Sequence, residues 1–225
     1  MIENATGIIL RTRPLTESSL IVEWISPSTG RLSTVAKGAR KPKSPFAGRL
    51  DLFFEADFSF HRGRPGSLHP LREARVVHAP STFRLDLGRL QQAAYATTCL
   101  EQVTEKETPL PELYLLTREF LHTVETMPVQ SSTVFAFELK LLRELGLAPD
   151  LSGLRLPPHV MDLMQNLLEF PWPDLQNLKS NAASLAVLGQ WLHGYLIYHL
   201  ERLPRGRSNA IGACPLPIHE PAPAQ

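Results

Sequence analysis

The chain has 225 residues and a formal net charge of +1, a length that allows two modest domains, each with a core of its own. Residues 1–80 contain 12 lysine and arginine residues against 7 acidic ones, a balance of +5, and the remainder contains 11 against 15, a balance of −4. The nearly neutral total therefore hides a basic amino-terminal region and does not exclude a nucleic-acid partner.

The positions of the cysteines, histidines and apolar runs exclude several other classes of protein. Cys99 and Cys214 are far apart, and neither belongs to a C-x-x-C pair, so they cannot build a disulfide framework or a zinc site. The 8 histidines are scattered and form no H-E-x-x-H motif. No run approaches the roughly 18 apolar residues of a membrane helix, and the amino-terminal apolar stretch is too short for a signal peptide. We expect no metal, no cofactor, no membrane association and a cytoplasmic location.

The first 80 residues have the period-two alternation and the turn residues of a β module. Five strands in about 80 residues, with polar outer faces, favour a small closed barrel. The predicted strands cover 7–12, 18–26, 31–37, 52–61 and 68–78.

A basic run that contains no acidic residue begins in the third strand. Its prolines and glycines prevent a helix beyond Gly38. Uncompensated positive charges repel one another, and an anionic partner relieves that repulsion. A flexible basic loop at the end of a strand suits a phosphate backbone, whereas the alternative is a solvated surface without a partner. The six basic residues of the run are Arg31, Lys37, Arg40, Lys41, Lys43 and Arg49.

Neighbouring residues leave two questions open. Arg11 and Arg13, at the end of the first strand, either extend the basic surface or have a structural role. Phe46 lies inside the basic loop, where it either stacks on a base or packs against the barrel.

After Pro80 the apolar residues recur at helical spacing. We predict a helical region over 81–203, and a proline-rich, disordered tail over 204–225. The predicted helices cover 85–100, 111–127, 133–145, 159–169 and 182–203.

No catalytic motif occurs in the sequence. It lacks a G-x-x-x-x-G-K-[ST] phosphate loop, a G-x-G-x-x-G turn and a G-x-S-x-G nucleophile elbow, which disfavours an enzyme. Two non-enzymatic interpretations remain. The protein either binds nucleic acid, or it is an adaptor whose basic loop docks an acidic protein segment.

Four segments resemble the RecO family of bacterial recombination mediators. They are I-I-L-R-T-R-P-L-T-E-S-S-L-I-V, S-P-S-T-G-R-L-S-T-V-A-K-G-A-R-K-P-K-S, G-R-L-D-L-F and F-E-L-K-L-L-R-E-L-G-L. The resemblance implies an α+β protein: a five-stranded OB-fold barrel followed by an all-α helical domain. It also implies binding of single- and double-stranded DNA, strand annealing, and cooperation with RecR to load RecA on DNA covered by single-stranded DNA-binding protein (SSB), all in the bacterial cytoplasm at the nucleoid.

The resemblance also implies roles for individual residues. Basic residues of the barrel are expected to contact phosphates, and helical residues to form a groove for the acidic carboxy-terminal tail of SSB. Many relatives carry a four-cysteine zinc module after the central helix, but residues 147–158 contain no cysteine, so we expect no zinc. The DNA-binding candidates are Lys37, Gly38, Arg40 and Lys41, with Arg11, Arg13, Arg31, Lys43 and Arg49 in support, and the partner-binding candidates are Phe137, Leu141 and Arg143.

Overall fold

The computed structural model describes residues 1–64, 66–178 and 180–212. Its amino-terminal part contains five strands that close into a barrel in the order β1-β2-β3-β5-β4. Among the pairings of these described strands, only that of β3 with β5 is parallel. This is the predicted OB-fold. The strands are β1 (Ile2–Pro14), β2 (Leu20–Ser26), β3 (Gly30–Ala36), β4 (Glu55–His61) and β5 (His69–His78).

Strand β1 closes the barrel because it is long enough to pair with both β2 and β4. Its first half, from Ile2 to Ile8, pairs with β4, and the residues from Ile8 to Pro14 pair with β2. A register shift between Ile9 and Arg11 marks an irregularity in the second half. Such a bulge bends a strand and increases its twist, which a small closed barrel requires.

Aromatic side chains fill the barrel interior. Trp24 stacks on Phe58 with ring centroids 4.1 Å apart, and its indole nitrogen donates a hydrogen bond to the Thr34 hydroxyl at 2.8 Å. The buried indole N–H is therefore satisfied. Phe60 and Leu32 belong to the same buried cluster.

The helices begin and end within a few residues of the predicted positions. Asp86 caps the first of them by accepting from the backbone N–H of Arg89, and Pro111 and Pro158 begin two others, where a missing N–H costs nothing. The helices are α1 (Leu87–Val103), α2 (Pro111–Thr126), α3 (Ser131–Glu144), α4 (Pro158–Glu169), α5 (Ala182–Leu200) and α6 (Arg207–Gly212).

The predicted disordered tail is wrong for its first part. Residues Arg207–Gly212 form α6, and Arg207 is buried. Its guanidinium bonds the buried Glu138 of α3 at 2.6 and 2.9 Å. The proline content of the tail predicts disorder, but it does not reveal a charge partner in a distant helix. The rest of the predicted tail, 213–225, lies outside the described residues.

The barrel and the helices share one hydrophobic cluster. Ile8, Ile25 and Phe53 of the barrel side pack in the same buried cluster as the helices. Tyr114 of α2 donates to the Glu55 carboxylate of β4 at 2.7 Å. The barrel interior has a separate core, and the predicted domain boundary near residue 80 stays a prediction.

Two further observations concern membranes and metals. Within the described ranges no helix has the length and apolarity needed to cross a membrane. The same ranges contain no group of three or more histidine, cysteine or acidic side chains placed to hold a metal ion.

Candidate nucleic-acid interface

The connection between β3 and β4 carries the basic run, and backbone hydrogen bonds order it as successive turns. Lys41 N–H donates to Gly38 C=O, and Ser44 N–H to Lys41 C=O, both at 3.1 Å. Gly38 has a φ of +71°, a conformation that glycine adopts without strain. The turn that starts the loop therefore depends on this residue.

Phe46 anchors the loop to the barrel. Its side chain is 6% exposed and belongs to the buried barrel cluster with Trp24 and Leu32. Of the two interpretations that the sequence left open, the structure supports burial and not base stacking. The anchored loop presents its cations outward.

Three lysines of the loop are exposed and unpaired. In residues 1–64, 66–178 and 180–212, no side chain or carbonyl forms a hydrogen bond or ion pair with the ammonium groups of Lys37, Lys41 and Lys43. Each ammonium group can therefore donate hydrogen bonds to a phosphate without first breaking a contact within the protein.

Arg40 joins the loop to the β1–β2 connection. Its guanidinium donates to Thr16 C=O at 3.0 Å, and its backbone N–H donates to Ser18 C=O at 3.0 Å. The two connections therefore lie side by side at one end of the barrel. We call residues 15–19 and 37–43 the basic edge.

Arg13 and Arg49 lie on different sides of the barrel. Arg13 is exposed on β1, with its side chain 56% accessible and 3.6 Å from Glu23, a separation that makes only a weak ion pair. It extends the basic edge along the sheet. Arg49 instead donates to Ala74 C=O of β5 at 3.3 Å.

Arg11 and Arg31 join the barrel to the helices. Arg11 donates from Nε and Nη2 to the Glu101 carboxylate of α1 at 2.9 and 2.6 Å. Arg31 donates to Thr104 C=O at 2.8 Å. The structure thus places both outside the basic edge, and their predicted contact with DNA stays a prediction.

Sequence reasoning missed the partners of these arginines. Glu101 lies 90 residues from Arg11, and Thr104 lies 73 from Arg31. Glu107 was also missed, although it bonds Arg62 at 3.1 Å. No local pattern distinguishes these acceptors from ordinary surface residues, because the contacts arise only when the barrel meets the helices.

The predicted partner-binding groove is wrong for two of its three residues. Phe137 and Leu141 are buried in the helical core, so neither offers a surface to a partner. Arg143 is accessible, with 43% of its side chain exposed, and it donates to Leu168 C=O at 3.1 Å. It borders a groove that also includes Phe170 and Trp172.

A buried lysine supports the same end of α4. The ammonium group of Lys140 donates to Leu168 C=O and Phe170 C=O, both at 2.9 Å. Burial lowers the pKa of Lys140, and the nearby charge of Arg143 adds to that effect. These donors satisfy carbonyls that the helix end leaves unpaired.

The closed barrel, its exposed basic edge and the attached helices define an α+β protein built on an OB-fold. Two family models match the chain: Recombination protein O N terminal over residues 1–80, and Recombination protein O C terminal over residues 84–154. The chain belongs to the RecO family.

Curated relatives carry the name DNA repair protein RecO. That of Exiguobacterium sibiricum is 33% identical over 153 residues, which cover 68% of this chain and 61% of the relative. That of Alkaliphilus metalliredigens is 31% identical over 154 residues, covering 68% and 62%. That of Listeria monocytogenes is 31% identical over 147 residues, covering 65% and 57%. The chain therefore aligns with less than two thirds of the length of these relatives.

Proposed function

We propose that this protein acts in DNA repair and recombination by binding DNA through its basic edge. The observation that carries the proposal is a set of three exposed lysines, Lys37, Lys41 and Lys43, which have no hydrogen-bond or ion-pair partner among the described residues and lie on a loop of defined conformation. Because the loop is ordered by its own turns, binding costs little additional conformational entropy. The names of the curated relatives support the same role.

Contacts to the phosphate backbone are the expected mode of binding. Lysine and arginine attract phosphates whatever the base sequence. The aromatic ring of the loop, Phe46, is buried, so it is not available to stack on bases. Single and double strands of any sequence should therefore bind, as a protein that anneals complementary strands requires.

The helical region is proposed to recruit protein partners. Arg143 borders a groove that includes the aromatic residues Phe170 and Trp172. Four glutamates line the same groove, so its charge does not by itself favour an acidic peptide. The proposed site for the SSB carboxy-terminal tail is supported by the family resemblance and by these aromatic residues. In line with the family resemblance, we propose that the protein works without catalysis, with RecR, to load RecA on SSB-coated DNA.

Charge removal at the basic edge tests the proposal. A Lys37→Ala/Lys41→Ala/Lys43→Ala variant should bind single-stranded DNA about a hundredfold more weakly near 0.1 M salt, because each lost phosphate contact lowers the log–log salt slope by about 0.7. It should also anneal complementary strands more slowly.

A matched control removes the same charge from the helical region. Arg155, Arg202 and Arg205 are exposed, and their triple alanine variant should bind within about threefold of wild type because screening weakens distant charges. Unchanged DNA binding and annealing in the basic-edge variant would contradict the proposal and favour the adaptor interpretation.

A further inference from the structure

The end of α1 and the α1–α2 connection lie on the outer surface of β2 and β3. The Lys106 ammonium group donates to the Ser33 hydroxyl at 3.1 Å, and Ser33 in turn donates to Glu23 at 2.7 Å. The Glu107 N–H donates to Arg31 C=O at 2.9 Å. Ser33 is only 4% exposed and Glu23 only 7%. We call residues 101–108 the connector.

The connector approaches the start of β3 closely. Gly30 has a φ of +67°, and a Cβ at this position would lie 1.8 Å from the Thr108 carbonyl oxygen. Any other residue would displace one of the two backbones. Glycine at position 30 therefore allows the close contact between the connector and the start of β3.

Acidic groups of the connector pair with barrel arginines. Glu101 accepts two hydrogen bonds from Arg11. Glu107 accepts from Arg62 at 3.1 Å, from Gly66 N–H at 2.8 Å and pairs with His69 at 3.1 Å. Glu101 holds Arg11 in the way that a DNA phosphate would, whereas Arg62 also keeps two hydrogen bonds to Glu3.

Arg11 belongs to a surface that continues from the basic edge. Arg11, Glu23 and Ser33 stand side by side in register on β1, β2 and β3. Arg13 lies two residues nearer the basic edge and is exposed. In OB-folds the face of strands 2 and 3 commonly binds oligonucleotides, but here that face ends at the connector.

We propose that the connector limits the DNA-binding surface, because Glu101 competes with DNA phosphates for Arg11. The inference rests on the proposed function. The Arg11–Glu101 pair is partly exposed, at 51% and 22%. Such pairs contribute little to stability. DNA phosphates can therefore compete with Glu101 for Arg11, and substitution of Glu101 should alter DNA binding.

The experiment uses the full chain with the substitution Glu101→Gln. Glutamine preserves the size of the side chain and removes its charge. A fluorescent 30-nucleotide single strand is titrated at several salt concentrations. One released arginine should raise the log–log salt slope by about 0.7 and tighten binding by about fivefold near 0.1 M salt.

A control separates this effect from the loss of negative charge alone. Asp162 is exposed and forms no ion pair with another described residue. Its asparagine variant removes the same charge far from Arg11. It should leave the salt slope unchanged and the affinity within about threefold.

The outcomes distinguish the inference from the proposed function. If wild type binds DNA with a clear salt dependence but the glutamine variant matches the asparagine control, the connector inference is overturned and the proposed function stands. If wild type does not bind DNA, both are overturned. If Glu101→Gln does not fold, Glu101→Ala gives the decision, with the same expected slope increase of about 0.7.

Discussion

Arg207 of α6 and Glu138 of α3 form a buried ion pair, with two hydrogen bonds of 2.6 and 2.9 Å. Tyr95 of α1 donates to the same carboxylate at 2.6 Å. Burial, together with the charge of Glu138, raises the pKa of the Tyr95 phenol, so the hydroxyl stays protonated and donates. Three helices that are distant in sequence therefore meet at one carboxylate.

The first prediction concerns this pair. Arg207→Ala leaves the Glu138 charge buried without a counter-charge, which should lower the free energy of unfolding by about 3–5 kcal/mol. Urea denaturation followed by circular dichroism measures the change. Arg205→Ala, at an exposed neighbouring position, is the control and should change the free energy by less than about 0.5 kcal/mol. Equal stabilities for the two variants would show that α6 does not need the pair.

The second prediction separates the two roles considered for Phe46. Phe46→Ala should lower the free energy of unfolding by about 3–5 kcal/mol, because it empties a core position. Phe46→Leu should retain the fold and bind DNA within about threefold of wild type, because the ring does not stack on bases. Loss of a stacked base would cost about 1–3 kcal/mol, and a loss of that size in the leucine variant would refute the structural role. Titration with a labelled single strand measures it.

The third prediction is a pH dependence of stability at the amino terminus. Two hydrogen bonds from Arg62 hold the pKa of Glu3 below its usual value. In an unfolded chain a glutamate titrates near pH 4.3, roughly its reference value. Because the folded-state pKa is lower, the pair stabilises the protein above that pH and loses its effect as the pH falls through the folded-state pKa.

Glu3→Gln tests this dependence through urea unfolding between about pH 3 and pH 7, bracketing the reference carboxylate pKa. The deficit relative to wild type should be largest near neutral pH and shrink in acid. Glu17→Gln, at an exposed position that forms no ion pair in the described structure, should show no such trend. A deficit for Glu3→Gln that does not change with pH would contradict the assignment.

Local patterns predicted the barrel, the helices and the basic loop, because each depends on residues close together in the chain. Period-two alternation, turn residues and the absence of acids after Arg31 are all visible within short windows. The family resemblance added the OB topology, which fixes how β3 meets β5.

Contacts between distant segments were not predictable in this way. The family resemblance placed Phe137 and Leu141 in a partner-binding groove, but no local pattern could show that both side chains would be buried in the helical core. Charge counting grouped Arg31 with Lys37, although Arg31 is turned toward Thr104. The sequence alone does not distinguish a basic residue that binds a phosphate from one that bonds a carbonyl 73 residues away.

The salt dependence of single-strand binding by the wild-type chain tests the central claim most directly. The basic edge and its extension supply five cations: Lys37, Lys41, Lys43, Arg40 and Arg13. If these neutralise about five phosphates, the log–log slope should be near −3.5, and a fourfold rise in salt should weaken binding by roughly a hundredfold for any base sequence. A slope near zero, or binding that depends strongly on sequence, would contradict the claim that the basic edge binds the DNA backbone.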